Sequence, residues 1–170
     1  MHGLHPSVGD SRFFRTAIMR LLLCLALAVL LAFANPPLSA VAGEAHVIRV
    51  IRDADSGHPR FDPPVLFIEP GDTVRISMAG KVFASRLIAG MHPPGAEMWW
   101  GQVGESIDIT FTEPGVYGHK CGASYQLGLV GLIIVGDPSV NLETARAVQH
   151  PPVAAQVFRD LFAAIPPARG

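Results

Sequence analysis

Cys121 is the residue of this chain best placed to do chemistry. The other cysteine, Cys24, sits in an apolar run near the N-terminus. His119 stands two residues before Cys121, so on a β-strand both side chains fall on one face. A thiol beside an imidazole admits three readings. The first is a soft metal site, with His119 and Cys121 as a partial ligand set and Met78, Met91 or His92 as helpers. The second is a nucleophilic Cys/His dyad. Side chains at i and i+2 stand too far apart for easy proton transfer, and no third orienting group is evident, so an enzyme is not expected. The third makes His119 a core or rim histidine with a hydrogen-bond partner, and Cys121 a small buried residue. Metal sites need several convergent ligands and only two are placed here, which favours the third reading. Trp99-Trp100 and the Met91-His92-Pro93-Pro94 loop read either as a partner patch or as ordinary rim packing.

The text around these residues is all-β from about residue 46 to 136. Val47 to Ile51 and Val65 to Ile68 are β-branched or apolar runs, the second introduced by Pro63-Pro64. Glu69-Pro70-Gly71-Asp72 predicts a type II turn, with Pro presetting φ and Gly supplying the positive φ. Val74, Ile76 and Met78 alternate with Arg75 and Ser77, which marks a half-buried strand. Further strands are expected over Phe83–Ile88, Ser106–Thr112, Val116–Cys121 and Leu129–Val135. In the second of these, Ile107, Ile109 and Phe111 face one side and Asp108, Thr110 and Thr112 the other. Seven short strands with Pro-Gly punctuation predict a sandwich or barrel. The period then changes. Asn141 is expected to cap a short helix with Leu142, Ala145 and Val148 on one stripe. His150-Pro151-Pro152 breaks it and opens a second helix. There Ala154, Val157, Phe158, Leu161, Phe162 and Ile165 form one apolar face, expected to dock on the sandwich rather than on a membrane.

The N-terminal region reads as an address. Leu21 to Ala34 is almost purely apolar, Arg12, Arg15 and Arg20 precede it, and Ala40-Val41-Ala42 ends the small residues that follow. That order is a secretory signal peptide, and Met19-Arg20 is an alternative start. The apolar run of 14 residues falls short of the roughly 20 that a spanning helix needs. An uncleaved membrane anchor is the competing reading. The expected organisation is a signal peptide over 1–42, a β-sandwich over 43–137 and a helical extension over 138–166 packed on it, with no stable membrane span after cleavage near Ala42. Residues 43–170 carry ten Lys and Arg against thirteen Asp and Glu, a net charge of −3, which argues against a nucleic-acid partner. Cleavage removes Cys24, leaving Cys121 without a partner for an internal disulfide.

The segment Pro114-Gly115-Val116-Tyr117-Gly118-His119-Lys120-Cys121, continuing through Leu129 to Asp137, resembles the pseudoazurin-like cupredoxins. So do Pro70-Gly71-Asp72-Thr73-Val74, Gly95-Ala96-Glu97 and Asn141-Leu142-Glu143 with the two closing helices. The resemblance implies a Greek-key sandwich with two C-terminal α-helices, a periplasmic or secreted location, a redox or envelope protein as partner, and one-electron transfer through blue copper. Such a centre needs two imidazoles and a thiolate near a plane, with a weak axial thioether. The family supplies the first His after Gly-Asp-Thr-Val and the rest as Cys-x-x-His-x-x-x-x-Met. By that pattern Cys121 is the thiolate, the second His position is Ser124, the axial Met position is Leu129 and the first His position is Phe83. Only Cys121 remains a ligand, and His119 is the one candidate replacement. The expectation is therefore a copper-free binding or accessory module on the cupredoxin shell. The alternative is a periplasmic electron carrier with a remodelled copper site.

Overall fold

The structure, a computed structural model, describes residues 44–54, 56–78 and 83–166. The expectations for the leader, its cleavage site and the Met19 start lie outside them. Among the described residues eight strands form two four-stranded sheets: β1 (Ala45–Arg52), β2 (Pro59–Asp62), β3 (Val65–Ile68), β4 (Thr73–Ser77), β5 (Ser85–Leu87), β6 (Ile107–Thr110), β7 (Gly115–Cys121) and β8 (Val130–Val135). The first sheet runs β2-β1-β4-β6 and the second β3-β8-β7-β5. The pairs β1–β4 and β3–β8 are parallel and the others antiparallel. Two helices follow, α1 (Leu142–Arg146) and α2 (Pro152–Ala163).

The alternation in the sequence becomes the inside and outside of the sandwich. Val74 and Ile76 of β4 are buried and Arg75 is exposed, as a half-buried strand requires. Asp72 donates its backbone N–H to the Glu69 carbonyl at 3.1 Å, and Gly71 has φ 101°, which closes the type II turn. Strand β2 was not anticipated. Its text, Pro-Arg-Phe-Asp, holds one apolar residue, Phe61, and that residue is fully buried. The strand forms because it pairs with β1, a partner the local text cannot name.

Strand β8 is buried along its whole length. One face, Ile133 and Val135, joins the core between the sheets; the other, Val130, Leu132 and Ile134, packs under α2. A strand covered on both sides reads as a continuous apolar run rather than an alternation. Helix α2 buries Ala154, Phe158, Leu161 and Phe162 against that second face, with Ile165 just beyond its end, which fixes where the predicted stripe docks. Pro152 opens it, where a missing N–H costs nothing. The expectation for Asn141 needs correction. It precedes α1, but its side chain makes no cap bond. It accepts the Val116 N–H at 2.7 Å and donates to the Val116 carbonyl at 2.9 Å, tying the helical extension to β7.

Candidate functional site

Cys121 closes β7 and is fully buried. Its N–H donates to the Leu129 carbonyl at 3.0 Å, across the mouth of a tight loop. Inside the loop, Ser124 N–H donates to the Cys121 carbonyl at 3.2 Å. The Ser124 carbonyl in turn accepts from Leu127 and Leu129, each at 3.1 Å. A short 3-10 turn spans Tyr125–Leu127 and ends on Gly128, which has φ 84°. A side chain at Gly128 would also meet Val153 and Val157 of α2 at 3.1–3.2 Å, so that position needs glycine twice over. Phe83 approaches from the other side: its carbonyl accepts the Gly104 N–H at 2.8 Å, and its neighbour Ala84 accepts from Gly122 at 3.4 Å.

The four positions named from the sequence therefore gather at one end of the sandwich, with Cys121, Leu129 and Phe83 in one apolar cluster and Ser124 buried beside them on the loop. Their donor set is one thiol and one hydroxyl, with a phenyl and an isobutyl group. That set does not fit blue copper, which takes two imidazoles and a thiolate. Among the described residues no group of three or more His, Cys, Asp or Glu side chains could hold a metal ion.

His119 lies on the same side of β7 as Cys121, facing Gly131 of β8. It is fully buried. Its ring sits 4.4 Å from the Phe61 ring and 6.5 Å from that of Trp99, centroid to centroid. A Cβ on Gly131 would come within 2.5 Å of His119 Nε2, so the imidazole occupies space that only a glycine leaves free. Neither ring nitrogen has a hydrogen-bond partner among the described residues, contrary to the expectation of one. Burial pushes the imidazole down to about 3, so the ring is neutral. With no group oriented against His119 and no exposed surface on Cys121, the pair lacks what a nucleophilic dyad requires.

The proposed helpers do not converge. Met78 shares the inter-sheet cluster with Cys121. Met91 lies on the opposite face of the second sheet, where a Cβ on Gly118 would meet its sulfur at 2.5 Å. His92 is held through Nδ1 at 3.1 Å from its neighbour's carbonyl, that of Pro93. Trp99 is not a surface residue: it is buried and donates Nε1–H to Ser85 Oγ at 3.2 Å. Trp100 is 65% exposed with the Arg86 guanidinium 5.3 Å from its ring centroid. A contact absent from the sequence reading joins the loop to the helices. Tyr125 Oη lies 2.6 Å from His150 Nδ1, and the His150 ring lies 4.3 Å from that of Phe158. No local signal links Tyr125 to His150, 25 residues on.

No family model matches the chain. Individual relatives do. Pseudoazurin of Methylorubrum extorquens is 33% identical over 138 residues, spanning 81% of this chain and 93% of the relative. Pseudoazurin of Paracoccus pantotrophus is 34% identical over 134 residues, 79% of this chain and 90% of the relative. Among solved structures, a Sinorhizobium pseudoazurin superposes with a TM-score of 0.67 at 34% identity, covering 71% of this chain and 94% of that one. The Methylobacterium extorquens pseudoazurin gives a TM-score of 0.66 at 33% identity, covering 71% and 98%.

Proposed function

The chain belongs to the pseudoazurin family of cupredoxins, and from that premise we propose that it is a copper-free member, a binding or accessory module of the cell envelope. The family consists of copper-binding electron carriers, not enzymes. The observation that carries the proposal is the filling of the ligand end: Leu129 fully buried and Phe83 packed against the same cluster, where the family places an axial thioether and an imidazole. The leader-like N-terminus supports a periplasmic or secreted location, with a redox or envelope protein as partner. The test is addition of Cu(II) to the purified protein. No intense visible thiolate-to-copper band is expected, because one thiolate without two imidazoles cannot impose the short bond and near-trigonal geometry that give it. Such a band, removed by Cys121→Ala, would defeat the proposal.

One observation favours a second reading, the remodelled metal site. His119 buries two unpartnered nitrogens on the face that also carries Cys121. If these two residues bind copper, a band in the unmodified protein is lost in His119→Leu as well as in Cys121→Ala.

A further inference from the structure

Among the described residues the first sheet ends at β6, which pairs only with β4 and leaves its other edge open. Facing it across a cleft of about 520 Å³ is the loop segment Gly95–Trp99. Between these walls lie the rings of Trp99, Phe111 and Tyr117. They are locked edge to face, with centroids 5.8 Å apart for Trp99–Phe111 and 4.9 Å for Phe111–Tyr117. Neither Glu97 nor Met98 makes a backbone hydrogen bond to another residue. The cleft thus lies between the open edge of β6 and the backbone of Glu97 and Met98, which makes no hydrogen bond to another described residue.

Its charge has one sign. Glu97 and Asp108 line it, the Glu113 carboxyl lies 3.9 Å from where a Cβ on Gly95 would stand, and among the described residues no Lys or Arg lines it. Asp108 meets Arg75 at 3.2 Å, but both side chains are more than half exposed, so the pair is screened by solvent. A second copy of β6 is a poor occupant, since it would bring Asp108 against these same carboxylates. We propose that the cleft takes an extended segment of a partner protein in which apolar residues alternate with Lys or Arg. Its backbone adds a strand between β6 and Glu97–Met98. Alternate apolar side chains then rest on the half-buried Ile107 and Ile109, and the intervening cations reach Glu97 and Asp108. The assignment is independent of whether Cys121 holds a metal.

The experiment uses an end-blocked hexapeptide of alternating valine and lysine, titrated into the purified protein while its backbone amides are followed by NMR. Saturable shifts are expected at Glu97, Met98 and Ile107–Thr110. The same peptide with glutamate for lysine should bind at least tenfold more weakly, and the double variant Glu97→Lys, Asp108→Lys should reverse that preference. Both substituted positions are exposed, so the variant keeps the core intact. Absence of saturable shifts, shifts confined to other surfaces, or equal binding of the two peptides overturns the proposal.

Discussion

At the scale of single residues, the ligand end of the sandwich sets its own test. The loop hydrogen bonds that hold Cys121, Ser124 and Leu129 do not involve the missing imidazoles. Hence Phe83→His, Ser124→His and Leu129→Met together are expected to create an intense visible band on adding Cu(II), absent from the parent and lost again with Cys121→Ala. The triple variant should be less stable without metal, since an imidazole replaces partly buried apolar surface at Phe83, and copper should return stability by binding the folded state. Cys121 itself, fully buried, should react slowly with a thiol reagent until the protein is denatured. His119 gives a pH prediction. Its folded value is depressed to about 3, below the ordinary 6.5. Between those values the unfolded chain binds the extra proton, so stability rises with pH up to about 6.5 and is then flat. The full shift corresponds to roughly 5 kcal/mol, a large part of a domain's total. Burial also lowers His150, with Lys120 adding to it, and acts with the same sign. Denaturation at pH 5 and pH 8 should therefore show a smaller difference in His119→Leu than in the parent. That variant should also gain about 1–3 kcal/mol at pH 8 by removing two unsatisfied buried nitrogens.

At the scale of elements, the helical extension is joined to the sandwich by one polar clamp and one apolar face. Asn141 satisfies both backbone groups of Val116 inside a buried setting. Asn141→Ala leaves that N–H and carbonyl without the partner they have, and should cost about 1–3 kcal/mol in chemical denaturation. A variant losing only a few tenths would show that water replaces the clamp. The apolar face is legible in the sequence because the helical period alone groups Ala154, Phe158, Leu161 and Phe162. The clamp is not, because Asn141 before a helix reads as a cap, and only the position of β7 diverts its side chain. Strand β2 was missed for a related reason: with one buried side chain its fate depends on β1 rather than on its own pattern.

At the scale of the whole molecule, the sequence before residue 43 reads as a leader, and residues 43–170 carry a net charge of −3. The expected mature N-terminus lies near Gly43, and N-terminal sequencing of the native protein checks it. Recovery of the intact chain in the membrane fraction would instead make the apolar run an anchor. Among the described residues no helix is long and apolar enough to cross a membrane. The face of β8 that an isolated sandwich would expose is covered by α2.

What the sequence determined by itself was the periodic: the strand alternation, the turns at Pro-Gly pairs and the amphipathic face of the last helix. These depend on the order of neighbours along the chain, which the sequence states directly. Only the tertiary structure decided how groups distant in sequence meet. It placed Trp99 inside and Trp100 outside, put Met91 on the far face of the sheet from Cys121, and set the His119 ring over Gly131 with no partner for either nitrogen. An imidazole's environment is set by what lies across the strand and across the core. For His119 those are Gly131 and Phe61, which bring bulk and space but neither donor nor acceptor side chains.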